Sequence, residues 1–403
     1  VDGVFRHVEQ LARYFLDGGA RVDLAYSSAR RCADLDRLVE EIEARGGATL
    51  DLEVGNAPCA GDIRALLRLR RFARQYKPVV IHAHSSKAGV LVRALRLLGE
   101  DATLLYTPHA YYGADPQGHP ARAFLFNAIE WAAGHFGISI SLNEAEARFA
   151  RERLHIQRKR LRIIPNGVDP EMFRPATPKE KAELRRARGI PEDAIVLGTV
   201  GRANAQKDPL TLYQAVARAL RANPRLHFYH LGWKGNADLI EEVKHLLAEA
   251  GVADRVHQDS YSSDPAPAYR LMDGFVMASR YEGMSYVILE AMTSGLPLIL
   301  TKAEGNLYLR DYPLSELSWA EIGDVESLTG AINTWVRRGH FAPCAQHRMV
   351  AESHFSNRSS CRRIAFSYAQ AVLGRRVHAF AHRLRPTPPS VTSSHHTYAT
   401  PHA

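Results

Sequence analysis

Several things are scarce in this chain. Its 403 residues include only four cysteines, Cys32, Cys59, Cys344 and Cys361, and none of them share the close spacing of a zinc site. A set like that suits a reducing compartment, so a cytoplasmic protein is expected, with the inner face of the plasma membrane as a place of peripheral attachment. Uncharged apolar runs of about 18 residues or more are missing, which excludes a membrane-spanning helix. The residues from Val1 onward do not have the pattern of a secretory leader, so none is expected in this stretch. At 46% hydrophobic residues the composition excludes a disordered chain, and the length allows about two domains of roughly 100 to 200 residues each.

What is present in excess is positive charge, a formal net +9. It is unevenly spread: from Gly61 to Lys77, Arg64, Arg68, Arg70, Arg71, Arg74 and Lys77 face Asp62 alone. Ile63, Leu66, Leu67, Ala73 and Tyr76 recur there at helical spacing, which predicts an amphipathic helix with one basic face. Such a face is either the solvated flank of a sheet-covering helix or a surface for anionic lipid. Nucleic acid is not expected as a partner, because neither a recognition motif nor an aromatic platform accompanies the charge.

Apolar runs alternate with amphipathic stretches through most of the chain. Strands are predicted near 21–26, 79–83, 103–106, 137–141 and 161–164, then near 195–199, 226–231, 256–258, 274–277 and 297–300. This alternation implies doubly wound α/β structure built twice. The stretch from Pro170 to Pro191 reads as a charged connector, and Pro386 to Ala403, rich in Pro, Thr, Ser and His, as a disordered tail.

One segment carries most of the chemistry, Ala278-Ser-Arg-Tyr-Glu-Gly-Met-Ser-Tyr-Val-Ile-Leu-Glu290 and on to Leu300. With the apolar run Leu271 to Ala278 that leads into it, it reads as a buried strand, a glycine loop, a helix and a second buried strand, Leu296 to Thr301. Gly283 lets backbone approach a ligand closely and Ser285 stands at the helix N-cap. The first-turn N–H groups and the positive end of the helix dipole offer an anion site. Glu282 and Glu290 can both face the crevice beyond the strand ends, where carboxylates accept hydrogen bonds from hydroxyls. Upstream, the strand ending at Gly201 is followed by Arg202 and Lys207, two cations where an anionic ligand would arrive. A molecule carrying both a diphosphate and sugar rings suits this combination.

These residues resemble a known family, the retaining glycosyltransferases of GT-B fold in the large family-4-like, group 1 set, and the likeness spans nearly the whole chain. Glu282 and Glu290, with seven residues between them, match its paired-glutamate signature, and Gly201, Arg202 and Lys207 its glycine-arginine-lysine loop. Pro165-Asn-Gly-Val-Asp169, Val80-Ile-His-Ala-His84 and Tyr106-Thr-Pro-His109 are similar to its other landmarks. The resemblance implies two Rossmann-like domains facing a cleft, an acceptor-side domain at 1–170 and a nucleotide-sugar domain at 192–350, joined by a connector at 171–191. A helix at 351–375 would return to the first domain. It further implies that Arg202 and Lys207 neutralise the donor diphosphate and Glu290 accepts from the ribose. The backbone around Gly283, Met284, Ser285 and Tyr286 would hold phosphate or sugar oxygens. Glu282 and His109 would lie near the transferred sugar.

The chain departs from that pattern at two places. The sequence starts within the first glycine loop, so for the strand that normally precedes it either residues are missing before Val1 or the sheet is short one strand; Gly3 stands alone where a glycine pair is common and becomes the donor-loop candidate. Downstream, Glu304, Gly305 and Asn306 replace a more glycine-rich turn. The expected activity is sugar transfer from a nucleotide diphosphate donor, UDP favoured, to a saccharide or lipid-linked acceptor, with no metal and no other cofactor. Two other readings share the fold: a sugar-nucleotide epimerase or hydrolase, and a noncatalytic carbohydrate-binding partner of a transferase.

Overall fold

The computed structural model describes residues 3–55, 58–114 and 119–383. The predicted tail from Pro386 lies outside them. The order of elements is α1 (Gly3–Asp17), β1 (Leu24–Tyr26), α2 (Ala33–Ala44), β2 (Thr49–Asp51), α3 (Gly61–Tyr76), β3 (Val80–His84), α4 (Ser86–Ala94), β4 (Thr103–Thr107), α5 (Pro120–Ala133), β5 (Ile138–Ser141), α6 (Glu144–Glu152) and β6 (Leu161–Ile163). After these come α7 (Pro178–Arg186), β7 (Ile195–Val200), α8 (Pro209–Ala222), β8 (Leu226–Leu231), α9 (Ala237–Glu249), β9 (Val256–Asp259), α10 (Ala266–Leu271), β10 (Gly274–Met277), α11 (Tyr286–Thr293), β11 (Leu298–Thr301), β12 (Leu317–Ala320), α12 (Val325–Arg338), α13 (Ala345–His354) and α14 (Asn357–Arg383).

Every strand pairing is parallel. The first half forms a four-stranded sheet in the order β3-β4-β5-β6, and β1 pairs with β2 in a separate two-stranded sheet. The prediction at 21–26 therefore shrinks to three residues, and β2 and β12 were not foreseen. Both lie at sheet margins, where half-buried sequence carries a weak apolar signal. The second half is one six-stranded sheet, β12-β11-β10-β7-β8-β9. Its strand order reverses between β7 and β10, and open α/β sheets bind ligands in the crevice at such a switch point.

Three local predictions change. The apolar run from Leu271 divides, because Leu271 closes α10 and the strand begins only at Gly274. The charged connector contains α7, started by a Thr177–Glu180 capping box. It also packs inward: the buried Arg185 donates to the carbonyls of Leu271 and Ala194 and to Asp273 at 2.6 Å. Lastly, the closing helix runs to Arg383, well beyond the segment foreseen. It lies on the first sheet, where Tyr368 stacks on Phe15 at 5.3 Å and Cys361 and Ile364 join Leu11, Leu105, Ile140 and Ile164 in one buried cluster.

Candidate functional site at the crevice between the sheets

The loops after β7 and β10 meet at the switch point and are tied to each other. Arg280 pairs with Asp208 at 3.0 Å and donates its backbone N–H to the Gln206 carbonyl, while Gln206 donates to the Tyr281 carbonyl. Lys207 Nζ donates to Glu282 Oε1 at 2.6 Å, so the predicted cation and the first predicted carboxylate form one ion pair. An ammonium carries three N–H donors, so this pairing leaves capacity for an anion. The Lys207 stem lies over Gly201, and Arg202 stands exposed beside them in the same mouth.

The glycine loop that opens α11 presents backbone, not side chains. Met284, Ser285 and Tyr286 are all buried. Ser285 occupies the N-cap position but makes no capping hydrogen bond; its hydroxyl lies 3.9 Å from the Met277 sulfur. Two asparagines from the first half hold this loop. Asn143 donates to the Gly283 carbonyl at 3.0 Å and Asn166 to the Met284 carbonyl at 2.8 Å. A trans peptide points its C=O and N–H to opposite sides. Fastening those two carbonyls therefore orients the Met284 and Ser285 N–H groups away from the asparagines. Gly283 lets the loop approach the His109 turn closely, since a Cβ on it would lie 3.0 Å from the His109 carbonyl. Gly305 backs the loop even more tightly, with the Glu282 carbonyl 2.0 Å from where its Cβ would stand. Asn306 is buried and donates to the Thr301 carbonyl, whereas Glu304 is exposed.

Glu290 is placed differently from an open ribose acceptor. It is 2% exposed, with Arg6 of α1 at 3.2 Å from one oxygen and the Tyr269 hydroxyl at 2.5 Å from the other. Gly3 opens α1 instead of lying in a free loop, and a Cβ on it would meet the Tyr286 ring at 3.1 Å.

Across the crevice, His109 sits in a strained turn after β4, with φ of 60° at His109 and 123° at Ala110. Glu146, in the first turn of α6, accepts backbone hydrogen bonds from Leu142 and Ala110 and so holds that turn. Burial pushes its carboxyl up to about 7. Around His109 gather His7, His82 and His84: His84 Nδ1 and His109 Nε2 are 3.1 Å apart, and the His7 and His109 rings are 4.9 Å apart. His82 bridges Thr107 and Tyr368 of α14, and His7 Nδ1 bonds the Asn166 amide oxygen at 3.0 Å. Burial depresses all four, His7 to about 4 and the others well below the usual range, so the cluster is neutral near pH 7.

Arg6, His7, Asn143 and Glu146 escaped sequence reasoning, and Asn166 was noticed only as part of a turn. Asn143 and Glu146 did carry a signal, an N-cap asparagine with glutamate three residues on. Among the described residues no group of three or more His, Cys, Asp or Glu is arranged to hold a metal ion.

The model of glycosyltransferase family 4 matches residues 1–172, and that of the glycosyl transferases group 1 matches 194–337. Together with the two-sheet architecture and its crevice, these matches define a GT-B glycosyltransferase. The chain belongs to the family-4-like, group 1 glycosyltransferases. A UDP-Gal:alpha-D-GlcNAc-diphosphoundecaprenol alpha-1,3-galactosyltransferase of Escherichia coli is 26% identical over 67% of this chain and 70% of its own length. The putative glycosyltransferase EpsD of Bacillus subtilis is 27% identical over 59% of this chain and 62% of its own, less than two-thirds. Among solved structures, Anabaena HepE in complex with UDP and glucose superposes with a TM-score of 0.76 at 18% identity, covering 91% of this chain and 96% of that one, a likeness of fold.

Proposed function

We propose that the enzyme transfers a hexosyl group with retention from a UDP-sugar to an acceptor hydroxyl, without a metal, in the synthesis of a lipid-linked glycan or polysaccharide. The observation that carries this reading is the switch-point mouth, where Arg202 stands exposed beside the Lys207–Glu282 pair; the Met284 and Ser285 N–H groups, turned away from the asparagines, would complete a diphosphate site. In the reaction the C1–O bond to the β-phosphate breaks and the acceptor oxygen bonds C1 from the same face. The acceptor proton passes to the departing phosphate. Charge grows on that phosphate as it leaves, and preorganised donors aimed at such charge contribute roughly 3 to 4 kcal/mol each. His109 would line the sugar pocket, held in place by the turn that Glu146 fastens. For Glu290 to reach a ribose, Arg6 would have to release it. A UDP-sugar is favoured because neighbouring folds were solved with UDP and UDP-glucose. A lipid-linked acceptor is favoured by the diphosphoundecaprenol named for the Escherichia coli relative.

The basic helix α3 supports peripheral attachment to anionic lipid, although fewer of its cations are available than the sequence implies. Arg68 pairs with Glu53, and Arg70 and Arg74 pair with Glu100. Arg64 and Arg71 make no ion pair among the described residues. Among the described residues no helix is long and apolar enough to cross a membrane. Incubation with labelled nucleotide sugars, with and without lipid extract, tests the proposal. Transfer that requires lipid supports it, while conversion of the donor with no acceptor would favour an epimerase or hydrolase.

A further inference from the structure

Helix α5 is inside out. Of its side chains only Glu130 is buried, while Phe124 is 77% exposed, Leu125 57% and Trp131 49%. With the exposed Ala121 and Ala128 these residues recur at three- and four-residue spacing, one continuous apolar stripe facing away from the protein. The helix cannot roll over to hide it. Glu130 accepts from Arg93 at 2.7 Å and from the Tyr106 hydroxyl at 2.8 Å, and Arg93, 1% exposed, lies over the Tyr106 ring. That buried network fixes which side of α5 faces inward, because turning it outward would strand Arg93 without its carboxylate.

We infer that this stripe seats α5 in the headgroup boundary of an anionic bilayer. Glu130 is the only acid of the helix and it points inward, so the outer face carries apolar residues and Arg122 and no negative charge. Next along the same side, α3 packs beside α4 and α4 beside α5. The outer face of α3 shows Ile63 at 68% and Leu67 at 55% exposure together with the unpaired Arg64 and Arg71. Aromatic and leucine side chains with flanking arginines are the composition of helices that lie in a membrane interface. A contiguous apolar surface is otherwise uncommon on a monomer. By chain connection α5 also follows the His109 turn, with Tyr112 against Phe126 at 4.5 Å. A membrane contact on this helix thus borders the acceptor side of the crevice. That last link rests on the proposed lipid-linked acceptor; the membrane contact does not.

Flotation with vesicles tests the inference. The wild-type chain is expected to float with phosphatidylglycerol-containing vesicles and far less with phosphatidylcholine alone. Replacing Phe124, Leu125 and Trp131 together with Ser should weaken that partitioning at least tenfold. The three residues are exposed, so far-UV circular dichroism and Tm should hold. Residual binding of the wild type in high salt should exceed that of the triple variant, because apolar insertion is not screened. Trp131→Phe should remove any blue shift of tryptophan fluorescence on vesicle addition. Three results would overturn the inference: no flotation of the wild type, equal flotation of the triple variant, or a wild-type dimer in light scattering that the triple variant converts to monomer. UDP-induced thermal shift, run on both proteins, is independent of all this. Its absence from both would count against the transferase reading and leave the vesicle result standing.

Discussion

The two walls of the crevice are built on opposite electrostatic principles. The wall from the second sheet is charged, with Lys207 against Glu282, Arg6 reaching over to Glu290, and Arg202 exposed beside them. The wall from the first sheet is neutral, the buried His7 with the half-buried His82, His84 and His109, without a carboxylate partner and joined by hydrogen bonds within the cluster and to Thr107, Tyr368 and Asn166. The difference fits the chemistry proposed. A leaving diphosphate needs fixed positive charge. A sugar pocket needs hydrogen bonding without charge that would hold the phosphate too tightly in the ground state.

The comparison predicts a hierarchy of effects, the largest on the charged wall. Arg6→Met leaves Glu290 buried with only the Tyr269 hydroxyl, and breaking a buried pair from one side typically costs about 3 to 5 kcal/mol. Chemical denaturation should show a loss of that order. A change below about 1 kcal/mol would mean the carboxylate is hydrated and open to a ligand. Next, Lys207→Ala and Arg202→Ala should each lower kcat/KM about 100-fold by removing charge aimed at the leaving group. Turnover near wild type in both would end the diphosphate assignment.

Smaller effects should come from the asparagines that join the walls. Asn166→Ala leaves the Met284 carbonyl and His7 Nδ1 buried without a partner, a cost of roughly 2 kcal/mol. UDP affinity should fall along with stability. Asn143→Ala removes both the α6 cap, about 1 kcal/mol, and the Gly283 contact. If UDP binds both variants as it binds the wild type, the loop amides do not depend on the asparagines.

The neutral wall sets the pH response. The histidines titrate lower when folded, so between pH 6.5 and about 4 the unfolded chain binds more protons and stability falls with acid. Each histidine contributes at most about 1.4 kcal/mol per pH unit within that window. Glu146 acts in the opposite sense. Its folded value is raised from 4.5 to about 7, so its contribution is lost as pH rises through 7. That loss spans pH 4.5 to 7 and so partly offsets the gain from the four histidines over the same range; melting curves should rise from pH 4.5 and level off near pH 7, and Glu146→Gln should steepen that rise and leave the curve above pH 7 unchanged. An acid limb as shallow as that of a chain with free histidines would mean the cluster is solvated.

Much of the charged wall was legible in the sequence, because each of its parts lies in a short run with its own signature. A strand, a glycine, a cation or a glutamate at fixed offset in a strand-loop-helix unit places itself by local geometry. Gly201, Arg202, Lys207, Glu282 and Glu290 were all named from such runs. Even so, sequence did not show that Lys207 and Glu282 form one pair, nor that Glu290 meets Arg6.

The neutral wall was legible only in part: His82, His84 and His109 stand in strand-end runs that the family resemblance marked, but their meeting with His7 and Asn166 was not. His7 and Asn166 are 159 residues apart in sequence, and Asn143 and Gly283 are 140 apart. No periodicity relates them, and an asparagine or histidine carries no charge run to betray it. Helix α5 misleads in another way: its apolar spacing is that of an ordinary core helix, and only the buried Glu130–Arg93 pair shows which side is in. What the sequence by itself determined is the alternation of elements and the chemistry stored in each strand-end loop, since both arise from contacts within a few residues. Which loops face each other, which carboxylate is already taken, and which face of α5 meets solvent were decided only when the two sheets packed. Those outcomes depend on pairings between distant residues that local preference does not encode.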